Sequence, residues 1–390
     1  MTINPQFNNH LLPLWSDDEL VTPAFVYDEV NIIEKLELLS GVRNESGCHI
    51  LYSVKALSFN DLLLVIAKYV DGFSVSSLFE SRLAREVLGD HGSIHLTSPG
   101  VRTDDMPEIS DTCNYLSFNS LNQFLQNRQW TKKIHCGLRV NPELSFAGDK
   151  RFDPCCKFSK LGVPLTKLES FCTNSDFMKE ISGIHIHTNC ESENYNELGQ
   201  TIDKLVEHQS GFLEQMQWLN LGGGYLLNDP DQLHVLCNLV KKIRHRYGLD
   251  IYFEPGKAII DNAGYLVASV IDLFVSDDRR VAVVDTTINH LPEVFEYQYR
   301  PQILQDTTGG RHEYRIVGSS CLSGDLFGNY CFDKPLELGS RIIFADVGAY
   351  MMVKANMFNG INLPSVYRLD STGCLRQVKS YEYSDYRSRL

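Results

Sequence analysis

A chain of 390 residues exceeds what one hydrophobic core ordinarily sustains, so two domains are expected, and 43% apolar residues with only 14 Pro and 27 Gly exclude a disordered or low-complexity protein. The 36 basic and 49 acidic residues leave a net charge of -13, which argues against nucleic acid or an anionic membrane as partner and suits a cationic small molecule. The 11 cysteines fall at irregular spacings with no C-x-x-C, there is no basic-then-apolar leader, and no apolar run reaches 18 residues; reduced thiols, a cytoplasmic location and no membrane span are expected.

In chain order, Thr22-Pro-Ala-Phe-Val-Tyr-Asp reads as a first strand. From about residue 30 to 262, strand-like apolar runs alternate with amphipathic stretches. Ile50–Val54 precedes a helical Asn60–Tyr69, and Gly72–Ser76 precedes Glu80–Leu88. Further strands fit Ser93–Thr97, Tyr115–Phe118, His135–Val140, Gly183–His187, Trp218–Leu221 and Ile251–Glu254. About eight such repeats mark a parallel β/α architecture, closed as a barrel or open as a doubly wound sheet; periodicity alone does not separate the two. After residue 262 the text turns β-rich, as in Tyr265–Ile271, Arg280–Asp285 and Arg341–Asp346, so residues 263–390, joined by 1–29, are expected to form a second, mainly antiparallel β domain.

Candidate chemistry sits where the strands end. Lys55 closes an apolar strand; either it turns into solvent, or desolvation lowers its pKa and frees the amine to react with an aldehyde. His185 and His187 share one side of a strand by the period of two, and with no third ligand nearby a metal is not expected. A flat imidazole at His187 suits stacking on an aromatic ring, while His185 fits a buried core histidine. Gly222, Gly223 and Gly224 let backbone approach a phosphate, although such runs also serve as plain turns. Phe253-Glu254-Pro255-Gly256-Lys257 places a carboxylate before a rigid turn. In the β domain, Ser320-Cys321-Leu-Ser-Gly-Asp325 offers a thiol and a carboxylate, and Asp346-Val-Gly-Ala-Tyr350 ends in a phenol.

Together these motifs resemble the fold-type III pyridoxal-phosphate decarboxylases, which include ornithine and diaminopimelate decarboxylases, over nearly the whole chain from Thr22 to Phe358-Asn-Gly. The resemblance implies a TIM-like, alanine racemase-type barrel plus a β domain, and pyridoxal 5'-phosphate as cofactor. Carried onto this sequence, it implies that Lys55 holds the cofactor and that His187 stacks on its ring. Glu254 would pair with the ring nitrogen, Gly222 to Gly224 and Tyr350 would bind the phosphate, Gly256 would also contact the cofactor, and Arg139 in Leu-Arg-Val-Asn-Pro would lie close by. It further implies a head-to-tail homodimer in which Cys321, the candidate proton donor, and Asp325 reach the partner's site.

Within the family the chain is most similar to the carboxynorspermidine/carboxyspermidine decarboxylases of polyamine biosynthesis, through His185–Glu191, Asn289–Pro301 and Ser320–Tyr330. That implies decarboxylation of an α-amino acid with a cationic arm, for which Glu293, Glu296, Arg300 and Asp325 are the candidate contacts. Leu322 stands where diaminopimelate decarboxylases carry a glutamate, and Ser74 where ornithine decarboxylases carry an aspartate. Asn189-Cys190 replaces the usual Gly-Ser, and Lys257 the usual arginine, which keeps the charge but loses the forked geometry. The alternatives are decarboxylation of diaminopimelate, ornithine or a siderophore precursor, racemisation, for which Cys321 stands in place of the expected tyrosine, or a cofactor-binding regulatory role.

Overall fold

The computed structural model describes residues 9–172 and 179–390. The described residues form two compact units, one within 34–259 and one of residues 9–33 with 260–390. Residues 1–8, expected in the β domain, lie outside the described residues.

Seventeen strands follow in chain order among the described residues: β1 (Ala24–Asp28), β2 (His49–Ser53), β3 (Gly72–Val75), β4 (Ser93–Thr97), β5 (Tyr115–Phe118), β6 (His135–Asn141), β7 (Val163–Pro164), β8 (Gly183–Ile186), β9 (Trp218–Asn220), β10 (Asp250–Phe253), β11 (Gly264–Ser276), β12 (Arg279–Val284), β13 (His312–Val317), β14 (Leu326–Phe332), β15 (Arg341–Phe344), β16 (Ser365–Leu369) and β17 (Leu375–Lys379). In the unit 34–259, β2, β3, β4, β5, β6, β8, β9 and β10 pair in parallel, and β10 returns to β2 through Tyr252↔His49 and Phe253↔Ile50. That pairing decides between the two architectures left open above: the sheet is a closed barrel. The short β7 pairs with β6 outside the ring. Helices such as Leu78–Leu88, capped by Ser77, and Pro230–Tyr247, ended by left-handed Gly248, link the strands.

Inside the barrel, side chains stack in layers. Trp218 fills the lower layer because the next two register positions on one side of it, Gly183 and then Gly137, are glycines: a Cβ on Gly183 would come within 2.0 Å of the indole, and one on Gly137 within 2.3 Å. His95 lies flat on Tyr115, ring centroids 4.0 Å apart, and 4.5 Å from Tyr252, whose hydroxyl meets that of Tyr115 at 3.0 Å. This aromatic floor closes the barrel below the next layer, which carries Arg139, His185 and Asn220 as register partners on adjacent strands.

The unit built from 9–33 and 260–390 is an eight-stranded sheet in the order β14-β13-β12-β11-β1-β16-β17, with β15 on β11. Most pairs are antiparallel, but β1 with β16 and β12 with β13 are parallel. Its core gathers Leu11, Leu14, Ala24, Val26, Val267, Ile343 and Leu369. Among the described residues no helix is long and apolar enough to cross a membrane.

Candidate active site

The C-terminal ends of the barrel strands bring Lys55, Arg139, His185, His187, Asn220, Gly222 to Gly224, Glu254 and Gly256 to one face. Lys55 sits in the single turn Val54–Ala56 that ends β2. This turn is pinned to the β10 end, since Ser53 N–H donates to the Pro255 carbonyl at 3.0 Å. Gly256 fits against Ser53 and Ala56 where a Cβ would stand 3.0 Å from each of their Cβ atoms. The Lys55 side chain reaches solvent, yet the protein around it lowers its pKa; loss of hydration is the main cause, Arg139 adds to it, and Glu254 and Glu80 oppose it. The amine is therefore easier to deprotonate than an ordinary lysine.

Glu254 follows β10 and is 8% exposed. Asn220 Nδ2 donates to its Oε1 at 2.8 Å, and His185 Nε2 lies 3.3 Å from its Oε2. Burial works against the charge, but these two donors outweigh it, and Lys55 and Arg139 add positive potential, so the carboxyl is held well below its usual range. His185 itself is held neutral by burial, so it supports Glu254 as a hydrogen-bond donor from Nε2. Asn220 also accepts the Gly222 N–H at 2.9 Å, tying the glycine loop to the same carboxylate.

The glycines are demanded by close approach. Gly222 is left-handed at φ +67°, and a Cβ there would fall 2.4 Å from the Ile186 carbonyl; on Gly223 it would fall 2.3 Å from that of Glu254, and on left-handed Gly224 2.0 Å from that of Asn189. Gly223 N–H donates to His187 Nδ1 at 3.2 Å. That lone pair fixes the tautomer with the proton on Nε2, and burial together with the Lys55 and Arg139 charges keeps the ring neutral. Arg139, 9% exposed, has no hydrogen-bond partner for its guanidinium among the described residues.

The residues that depart from the expected motifs have partners of their own. Asn189 Nδ2 bridges Glu197 at 2.9 Å and the Tyr225 hydroxyl at 2.8 Å, while its Oδ1 is buried without a hydrogen-bond partner among the described residues. Lys257 pairs with Glu191 at 2.7 Å.

The remaining candidates belong to the other unit. Cys321 is exposed in the loop between β13 and β14. Asp325, 4% exposed, accepts the Ile288 N–H at 2.7 Å, the Ser320 N–H at 3.0 Å and the Ser320 hydroxyl at 2.5 Å, so its carboxylate braces the Cys321 loop. Glu293 and Glu296 lie on the short helix Pro292–Tyr297 and both hold the Lys354 ammonium, Glu293 at 3.2 Å. Burial alone would lower the Lys354 pKa; the two carboxylates raise it. Arg300 pairs with Asp306 at 2.5 Å, donates to the Asn329 carbonyl and lies 4.0 Å from the Tyr330 ring centroid. Tyr350 is left-handed at φ +65° and precedes the helix Met351–Lys354.

Sequence reasoning missed Asn220 and Glu80. The signal for Asn220 was an amide at the end of an otherwise apolar strand. Glu80 sits in the first turn of the helix Leu78–Leu88, where its carboxylate accepts the Ser76 N–H at 2.6 Å. Burial raises its pKa, opposed by that N–H and by Lys55.

Residues 24–348 match the family model for the pyridoxal-dependent decarboxylase, C-terminal sheet domain. The chain is 32% identical to the carboxynorspermidine/carboxyspermidine decarboxylase of Campylobacter jejuni, over 95% of this chain and 99% of that protein. It is also 32% identical to the carboxyaminopropylagmatine decarboxylase of Synechocystis sp., over 95% and 96% respectively. The crystal structure of carboxynorspermidine decarboxylase complexed with norspermidine from C. jejuni superposes with a TM-score of 0.87 at 31% identity, covering 95% of this chain and all of that one.

Proposed function

This chain belongs to the pyridoxal-dependent decarboxylase family, and from that premise we propose that it decarboxylates a carboxylated polyamine, carboxynorspermidine or carboxyspermidine, in polyamine biosynthesis. The observation that carries the reading is similarity to such an enzyme from end to end, at 32% identity over 95% of the chain. Equal identity to a carboxyaminopropylagmatine decarboxylase supports a second substrate of the same kind, in which an agmatine arm replaces the diamine.

The residues at the barrel mouth suit pyridoxal 5'-phosphate. A lysine amine with lowered pKa, a buried ionised carboxylate, a neutral imidazole and a guanidinium without a hydrogen-bond partner among the described residues converge there. The cofactor supplies an aldehyde that takes the substrate amine and a ring that accepts the electron pair left as CO2 departs. Lys55 Nζ would hold the cofactor through its aldehyde, and its lowered pKa makes the neutral, bond-forming amine more accessible. Glu254, its negative charge secured by Asn220 and His185, would pair with the ring nitrogen and favour a proton there. His187, with Nδ1 tied to Gly223, presents a flat neutral ring. Gly222 to Gly224 would bind the phosphate, for which Tyr350 is a further candidate, and Gly256 and Arg139 would lie close to the cofactor.

Cys321 returns a proton to the carbon that loses CO2, across the interface of a homodimer with shared sites. Glu293 and Glu296 take the cationic arm; they already hold one alkylammonium, that of Lys354. Asp325 acts through the Cys321 loop, and Arg300 through Tyr330 and Asp306. Cys48, Cys113, Cys136 and Cys237 are buried as thiols rather than joined in disulfides, which suits a cytoplasmic enzyme.

The test is CO2 release by cofactor-loaded protein from carboxynorspermidine, carboxyspermidine, carboxyaminopropylagmatine, meso-diaminopimelate and ornithine. Preference for a carboxylated polyamine is expected; preference for diaminopimelate or ornithine would overturn the substrate, and a cofactor absorbance band without turnover on any of them would overturn the reaction. Lys55→Ala abolishes that band, whereas Cys321→Ala keeps it and lowers turnover.

A further inference from the structure

We infer that Asn359 is a positioning residue for the Cys321 thiol, an inference that rests on the reading of Cys321 as the proton donor. Cys321 is exposed, and a thiol at a loop tip delivers a proton to one carbon only if its backbone is held. The loop is anchored on both sides of that residue. Before it, Ser319 N–H donates to the Thr286 carbonyl, and Ser320 is fixed through N–H and hydroxyl by Asp325. After it, Leu322 N–H donates to Ser320 Oγ at 3.3 Å. The Cys321 N–H goes elsewhere, to Asn359 Oδ1 at 2.9 Å, 38 residues along the chain. With that bond made, the remaining freedom of the thiol is rotation about χ1.

Asn359 is itself held in an unusual conformation. It is left-handed (φ +57°, ψ +13°) within the turn Phe358–Gly360, a region that Asn tolerates and most residues avoid. Gly360 is also left-handed, and a Cβ there would stand 3.7 Å from the ring of Tyr386, in the terminal helix Tyr383–Arg387 that lies beside the turn. On the other side, Phe358 N–H donates to Asn356 Oδ1 at 3.0 Å, and Asn356 N–H to the Asn289 carbonyl at 3.3 Å. Asn289 neighbours Ile288, whose N–H is bound by Asp325. The hydrogen bonds thus close a ring: Cys321 to Asn359, through Asn356 to Asn289, and through Ile288 and Asp325 back to Ser320. Asn359 is the member that touches Cys321, and its amide oxygen is what the role requires.

Two substitutions separate that oxygen from the turn. Asn359→Gly keeps the left-handed conformation and removes the acceptor; Asn359→Asp keeps both. In the cofactor-loaded enzyme, Asn359→Gly is expected to retain the cofactor absorbance and a KM for carboxyspermidine within about twofold, while kcat falls about tenfold or more. Asn359→Asp is expected to restore most of kcat. Carboxamidomethylation of Cys321 by iodoacetamide, followed on its own peptide by mass spectrometry, should accelerate several-fold in Asn359→Gly and stay near wild type in Asn359→Asp. An Asn359→Gly enzyme with wild-type kcat and alkylation rate overturns the inference, as does an Asn359→Asp enzyme as impaired as the glycine variant. If Cys321→Ala turns over at the wild-type rate, the proton-donor reading fails and the inference fails with it; the alkylation rates then still report whether Asn359 holds the loop.

Discussion

Replacement of Asn220 by alanine tests the electrostatics of the site most directly. Asn220 is 1% exposed and satisfies two buried groups at once, Glu254 Oε1 at 2.8 Å and the Gly222 N–H at 2.9 Å. A hydrogen bond to a charged group contributes about 1.5–3 kcal/mol, and a buried N–H left without a partner costs about 1–3 kcal/mol, so the variant should lose roughly 3–5 kcal/mol. For a unit of this size that corresponds to a fall in Tm of roughly 10 °C, measurable by scanning calorimetry at pH 7.5. Glu254 gives the effect a second signature. Its folded pKa lies below the ordinary 4.5, so its stabilisation is present above pH 4.5 and is lost as pH falls through the folded value. Without Asn220 that folded pKa rises, and retention of the cofactor should begin to fail at a higher pH than in the wild type. Asn220→Asp, which sets a second carboxylate against Glu254, should be worse than alanine. A Tm within 2 °C of wild type for the alanine variant, with unchanged cofactor retention down to pH 5, would refute the reasoning.

Gly223→Ala should cost about 1–3 kcal/mol and release cofactor on dialysis, because its Cβ would meet the Glu254 carbonyl at 2.3 Å, where no side-chain rotation can relieve it. Gly199→Ala, on the helix Asn196–Leu213 with nothing within 4 Å of the new Cβ, should instead raise stability by about 0.5–1 kcal/mol in a denaturant titration. His95, buried against Tyr115 and Tyr252, has its pKa pushed down to about 3 from 6.5 by burial, with Glu254 opposing and His185, His49 and His135 adding to the shift. A base depressed in this way contributes stability at neutral pH that is lost as pH falls from 6.5 towards 3, because the unfolded chain takes up the proton first. His95→Phe should therefore lose less Tm than wild type between pH 7 and pH 4.5, and an identical loss in both proteins would count against a neutral buried His95.

The repeating strands and helices between residues 30 and 262 were legible because burial on both faces of a parallel strand leaves a continuous apolar run that any window detects. Lys55, His187 and Glu254 were legible for a related reason: a polar residue that ends such a run stands out locally. Four strands of the β sheet, β13, β14, β16 and β17, were not assigned, since their burial alternates or is partial and resembles loop text. Which pairs would be parallel, β1 with β16 and β12 with β13, was not legible in a sheet read as mainly antiparallel.

The amino-acid order by itself determined which residues close the apolar runs and where backbone must lack a Cβ, because strand periodicity and glycine conformation act within a few residues. Closure of the barrel depended on Tyr252 meeting His49, some two hundred residues away, and no local pattern distinguishes that from an open edge. The same holds for Asn220 on Glu254, Glu293 and Glu296 on Lys354, and Asn359 on Cys321. Each is a hydrogen bond or ion pair between residues that chain folding brings within about 3 Å, and the direction of such short-range forces is set by register and packing rather than by composition.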